Sequence, residues 1–153
     1  MPHLKVLCLH GYRQNSDVFR EKTGGLRKSL KKFCEFKFIS APNVIECSSN
    51  ACAWWFSKPL EFLAQESSTY DAGFRESILA VKKYIKEEGP FDGMLGFSQG
   101  AAFLLLLQIM MEHKLSETLQ NISNLTLSTS SSDCQTIVIS HFSYYSLLSI
   151  SLL

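Results

Sequence analysis

The chain has 153 residues, of which 46% are hydrophobic, so it is long enough for one globular domain and is not disordered as a whole. Its formal net charge of +1, without a basic stripe, gives no electrostatic case for binding nucleic acid or an anionic membrane surface. We therefore expect a small-molecule partner, and composition leaves the oligomeric state unknown.

The amino terminus and the cysteines predict a cytoplasmic protein. Residues 1–6 run straight into a predicted strand and lack the long apolar core and cleavage site of a secretory signal. The five cysteines are odd in number and irregular in spacing, and no pair has a second Cys/His pair to complete a zinc site. We expect reduced thiols, no metal site and no cofactor.

The first predicted strand, Leu4–Leu9, ends in His10, Gly11 and Tyr12. A glycine directly after a strand allows the backbone to approach a ligand closely. In a hydrolase this loop would supply an oxyanion donor, and we expect it to be the backbone N–H of Tyr12. We expect His10 to hold the loop by hydrogen bonds rather than to act as a catalytic base.

The next segments predict two short helices between residues 16 and 32 and a second strand at residues 36–39. An irregular stretch follows and contains the consecutive aromatic residues Trp54, Trp55 and Phe56. Because three adjacent aromatic side chains cannot all face one core, we expect at least one to line a surface cleft. The alternative is packing within the loop alone.

A helix predicted over residues 71–88 leads into an apolar strand at residues 93–97 and the pentapeptide Gly96-Phe97-Ser98-Gln99-Gly100. A long apolar helix is predicted to follow. A Gly-x-Ser-x-Gly sequence between a strand and a helix is typical of a strained turn that exposes the serine hydroxyl. We therefore expect Ser98 to be a nucleophile and the N–H of Gln99 to be a second oxyanion donor. The alternative is a tight turn with a structural serine.

The alternation of strands and helices predicts a parallel sheet with helices on both faces. In such sheets the chemistry lies at the carboxyl ends of the strands. Both the loop after the first strand and Ser98 are predicted to lie at such ends.

The tail differs in composition, because beyond Gln120 only Asp133 is charged and serines cluster at residues 128–132. We assign residues 1–121 to the core and residues 122–153 to an atypical Ser/Leu-rich tail, with one more strand at residues 136–140. A membrane anchor is the alternative. Residues 137–153 are at the short limit for crossing a bilayer and contain repeated serines, so we do not expect a membrane association.

Four separated motifs resemble the FSH-type family of serine hydrolases, which includes the ovarian-cancer-associated esterases and their fungal relatives. They lie at residues 7–15, 19–28, 54–56 and 89–102. The resemblance covers residues 4–113. It implies an α/β-hydrolase fold and hydrolysis of carboxylic esters through an acyl-enzyme, with Ser98 matching the nucleophile and the N–H groups of Tyr12 and Gln99 matching the oxyanion donors.

The family's acid and base segments are not recognisable in the tail. Asp133 and His141 have the expected order of acid and base after the serine. The seven residues between them are too few for a crossover between successive parallel strands. We therefore expect an α/β-hydrolase-like sheet that is incomplete at its C-terminal end, as in a truncated chain. Two hypotheses stand: a serine esterase, or an inactive variant acting at most as a binding module.

Overall fold

The computed structural model of the protein describes residues 3–45, 50–112, 136–141 and 147–151. The helices are α1 (Ser16–Lys22), α2 (Gly24–Leu30), α3 (Phe74–Glu88) and α4 (Gln99–Glu112). The strands are β1 (Leu4–Leu9), β2 (Cys34–Ile39), β3 (Asn43–Val44), β4 (Cys52–Ala53), β5 (Gly93–Phe97), β6 (Thr136–His141) and β7 (Leu147–Ser151). The predicted boundary at residue 121 and the serine cluster lie outside the described residues.

The main sheet has the strand order β2-β1-β5-β6-β7, and β3 pairs with β4 in a separate small sheet. β2, β1 and β5 are parallel, and Leu9 lies opposite both Ile39 and Gly96. The carboxyl ends of β1 and β5 are therefore adjacent. The predicted tail strand is present as β6, but it pairs with β5 in the antiparallel direction, as β7 does with β6.

Helices cover both faces of the parallel strands, as predicted. Successive side chains of a strand point to opposite faces of the sheet. Cys8 accordingly packs with Phe19 of α1 on one face. Leu7 and Leu9 pack on the other face in the larger cluster, which α3 and α4 complete. The three parallel strands thus form the centre of an α/β fold.

The two short helices between residues 16 and 32 are confirmed. The first begins after Asn15, whose side chain accepts a hydrogen bond from the N–H of Val18 at 2.9 Å. The two helices meet at Thr23, whose N–H and hydroxyl both donate to the carbonyl of Phe19. None of the helices in the described ranges combines the length and the apolar character that a membrane span requires.

The expectation that one of the three adjacent aromatics lines a surface cleft is wrong. Trp54, Trp55 and Phe56 are all buried. The two tryptophans join the larger cluster, whereas Phe56 packs with Ile45 and other residues in a separate one. The segment lies between two apolar clusters, so the three side chains are divided between them. Packing within the loop alone, the alternative, does not describe the tryptophans either, because they pack in the main core.

Adjacent leucines on α4 provide a matched test of this core. Leu104 is 2% exposed and Leu105 is 41% exposed, although both lie on the same helix. Leu104→Ala should lower the free energy of unfolding by about 2–5 kcal/mol, because it leaves a cavity in a packed interior. Leu105→Ala should lower it by less than about 1 kcal/mol. Urea unfolding measures both, and equal losses would contradict this placement of α4.

Candidate active site

Ser98 is the single residue between β5 and α4. Its φ is +49°, in the left-handed region that residues with a side chain rarely adopt. Its carbonyl accepts hydrogen bonds from the N–H groups of Ala101 and Ala102, at 2.9 and 3.0 Å, and so begins the helix. The residue is exposed. The chain therefore reverses from strand to helix within one residue and presents that residue to solvent.

The glycines on either side of the turn are required by backbone contacts. A Cβ on Gly96 would lie 2.6 Å from the Cα of Ala101. A Cβ on Gly100 would overlap the carbonyl oxygens of Leu9 and His10. Backbone atoms cannot rotate away as a flexible side chain can. The first turn of α4 is therefore packed directly against the end of β1.

His10 is fully buried and holds the loop after β1. The N–H of Ala41 donates to its Nε2 at 2.9 Å, so that nitrogen carries the lone pair and Nδ1 carries the proton. Nδ1 lies 2.7 Å from the carbonyl of Gly11 and donates to it. Burial lowers the pKa of His10 to about 4, against a smaller opposing effect of the Gly11 carbonyl. Both nitrogens are occupied, which confirms the loop-holding role.

The loop itself is a tight turn. The N–H of Gly11 donates to Oε1 of Gln14 at 3.2 Å, and the N–H of Gln14 donates back to the carbonyl of Gly11 at 3.2 Å. The N–H of Arg13, which has a φ of +61°, donates to the carbonyl of Cys52 at 3.1 Å. A Cβ on Gly11 would lie 2.9 Å from the ring of Phe97, so the turn packs directly against the residue before Ser98.

The backbone N–H groups of Tyr12 and Gln99 are the predicted oxyanion donors. Neither donates a hydrogen bond to any residue that the structure describes. For Gln99 this follows from its place as the first residue of α4, because the first N–H groups of a helix lack partners within it. Both groups lie at the adjacent carboxyl ends of β1 and β5.

A buried network joins these two strand ends. The side chain of Gln99 is 1% exposed; its Oε1 accepts from the N–H of Trp54 at 2.9 Å and its Nε2 donates to the carbonyl of Trp55 at 2.7 Å. The indole N–H of Trp54 donates to the carbonyl of His10 at 2.7 Å. Sequence reasoning missed these roles. The available signal was only that a buried glutamine or tryptophan needs hydrogen-bond partners.

The two weak candidates for acid and base are Asp133 and His141. Asp133 lies outside the described residues. His141 ends β6 opposite Gly93, four residues before Phe97 and about 13 Å along β5. His3 lies just before β1, where its Nε2 donates to the carbonyl of Lys31. Of the other described histidines, His10 has both ring nitrogens hydrogen-bonded to backbone groups.

The cysteines in the described ranges, Cys8, Cys34 and Cys52, are free thiols. Burial raises the pKa of Cys8 to about 12, so its thiol stays protonated at neutral pH. In the same part of the chain there is no group of three His, Cys, Asp or Glu residues that could hold a metal ion.

The sequence matches the family described as Serine hydrolase (FSH1) over residues 1–151. It is 48% identical to Esterase C25G4.2 of Caenorhabditis elegans over 111 residues, and the aligned region covers 69% of this chain and 50% of that protein. It is 45% identical over 132 residues to Esterase OVCA2 of Danio rerio, with 73% and 58% covered. It is 40% identical over 120 residues to Esterase CG5412 of Drosophila melanogaster, with 73% and 43% covered. The chain spans about half the length of these curated relatives.

Acid should destabilise the protein through His10. Its pKa is lowered from 6.5 to about 4 in the folded state, so between these pH values the unfolded chain takes up a proton that the folded chain does not. The free energy of unfolding should therefore fall as the pH falls from 6.5 to 4, by on the order of 3 kcal/mol in total. Urea unfolding at a series of pH values measures this loss.

His10→Gln provides the control for this prediction. The glutamine places an acceptor near the position of Nε2 but has no group that titrates in this range. The wild type and the variant have the same carboxylates, which contribute equally to both pH profiles. The loss of stability of His10→Gln between pH 6.5 and 4 should therefore be smaller by the contribution of His10. Two profiles with the same slope would show that His10 is not the titrating group.

Proposed function

We propose, from the premise that this chain belongs to the serine hydrolase (FSH1) family, that it hydrolyses a small-molecule carboxylic ester with Ser98 as nucleophile. One observation carries the proposal: Ser98 is exposed at a left-handed strand-to-helix turn, and the N–H groups of Tyr12 and Gln99, at the same edge of the sheet, donate to no residue in the described ranges. The esterase activity that the relatives' names state is carried over as part of this proposal, because the chain spans about half of their length.

In the proposed reaction, Oγ of Ser98 attacks the ester carbonyl carbon and gives its proton to a base. The carbonyl electron pair moves onto oxygen, where the N–H groups of Tyr12 and Gln99 stabilise the negative charge. The ester C–O bond then breaks, and the alcohol leaves with the proton. Water, deprotonated by the same base, attacks the acyl-enzyme and releases the carboxylic acid and Ser98.

The alternative function is an inactive variant of this fold that acts at most as a binding module. Two observations favour it: both nitrogens of His10 are occupied, and His141 pairs at the far end of β5. No histidine in the described ranges is thus available as the base. In another serine hydrolase, removing the catalytic histidine costs on the order of a millionfold in turnover.

We also propose that the protein works in the cytoplasm without a metal or cofactor. This rests on the irregular spacing of its cysteines and on the free thiols of Cys8, Cys34 and Cys52. The proposed partner is an uncharged or weakly charged small molecule, because a net charge of +1 offers no general attraction to polyanions.

Covalent labelling tests the nucleophile. A fluorophosphonate probe should label the folded chain at Ser98 with release of fluoride, because attack on phosphorus uses the same exposed hydroxyl, base and oxyanion donors as attack on an ester. Ser98→Ala should abolish labelling, whereas Ser29→Ala, at an exposed position on α2, should leave it unchanged. Mass spectrometry of the intact chain and of the Ser98 peptide measures the adduct. A folded chain that resists the probe counts against Ser98.

Turnover separates the two functions. An active esterase should release the chromophore from short-chain nitrophenyl esters at a steady rate that depends on Ser98. The binding-module alternative predicts no such rate even in soluble protein that the probe labels. A measurable rate lost in Ser98→Ala would rule out that alternative.

A further inference from the structure

We propose that Trp54 is a positioning residue that fixes the separation between the backbone N–H groups of Tyr12 and Gln99. The inference rests on the proposed function, because these N–H groups are its oxyanion donors. Trp54 touches neither the reacting atoms nor solvent. It acts through the two strand ends that its indole and its main chain connect.

The first connection runs from Trp54 to the Tyr12 loop. The indole N–H donates to the carbonyl of His10 at 2.7 Å, and both residues are fully buried. That carbonyl is two residues before Tyr12 and is one of the atoms against which Gly100 packs. A shift of the carbonyl therefore moves the peptide units that place the N–H of Tyr12.

The second connection runs from Trp54 to the start of α4. The main-chain N–H of Trp54 donates to Oε1 of Gln99, and the next carbonyl, of Trp55, accepts from Nε2 of the same side chain. Both ends of the carboxamide are thus occupied by one peptide segment. These two bonds fix the distance between the backbone of Gln99, whose N–H is the second oxyanion donor, and the backbone of residues 54 and 55.

Trp54 is itself held rigidly. Its ring stacks on that of Phe103, at a centroid distance of 5.0 Å and an interplanar angle of 14°, and contacts the tilted ring of His10 at 5.2 Å. Its carbonyl accepts from the hydroxyl of Ser77 at 2.6 Å and from the amide of Asn43 at 3.2 Å. These contacts hold the position of Trp54, and through it the positions of the two strand ends. A displacement of reacting groups by about 1 Å can lower the rate by about 100-fold.

Trp55 supplies a matched comparison. It is buried in the same cluster and packs edge-on against Phe62 and Phe74. Its indole N–H donates no hydrogen bond to the residues in the described ranges. Replacing either tryptophan by phenylalanine removes the same atoms from the same core, but only Trp54→Phe removes the bond to His10.

The first measurement is amide hydrogen exchange, which requires no activity. Trp54→Phe should reduce protection of the Arg13 and Gln14 amides by about 10-fold relative to the amides of β1, the factor expected for one buried hydrogen bond. Trp55→Phe should lower protection evenly, through global stability alone. If both variants change exchange in the same pattern, Trp54 only packs and the inference is overturned.

The second measurement is the kinetics of fluorophosphonate labelling. Trp54→Phe should lower the maximal labelling rate by about 10-fold with little change in the half-saturating probe concentration, because oxyanion donors act mainly in the transition state. Trp55→Phe should lower it by less than about 3-fold. Gln99→Met, which keeps the bulk but removes both side-chain bonds, should reproduce the loss and serves if Trp54→Phe does not fold.

The outcomes separate the two claims. A wild-type chain that does not label contradicts the proposed function, while exchange still decides whether Trp54 fixes the loop. A reactive wild type with equal labelling rates in Trp54→Phe and Trp55→Phe overturns the positioning role, even if exchange differs between them.

Discussion

The carbonyl oxygens of Leu9 and His10, at the end of β1, leave no room for a side chain at residue 100 of α4. Because residue 100 is glycine, the helix begins directly against Leu9 and His10. The neighbouring strand β5 ends at Phe97 and α4 begins at Gln99, so the chain turns within Ser98 alone. That residue therefore has a positive φ. The close contact at Gly100 thus places Ser98, the start of α4 and the loop after β1 together.

The positive φ of Ser98 has a conformational free-energy cost, which the burial of α4 in the core offsets. A non-glycine residue in a sparsely populated backbone region costs on the order of 1–3 kcal/mol. The same helix buries Phe103, Leu104 and Leu106. Each fully buried side chain of this size contributes about 1.5–3 kcal/mol, so α4 stabilises the strained turn at its own beginning. The apolar face of the helix is therefore part of what keeps Ser98 in place.

The three parallel strands, both helix layers and the turn at Ser98 could be predicted because each has a local signature, an apolar run or fixed glycines. The loop-holding role of His10 followed in the same way from its place after a strand. The network around Trp54 could not, because its bonds join residues 44 and 45 positions apart. The direction of β6 also had no signature, since an apolar strand pairs in either sense.

The backbone contacts at Gly96, Ser98 and Gly100 come from β1, β5 and α4, whereas β6 pairs with the other edge of β5. The turn that exposes Ser98 is therefore set within the stretch from Leu4 to Glu112. Exposing a serine hydroxyl and removing its proton are separate structural requirements, and the contacts within that stretch meet the first of them.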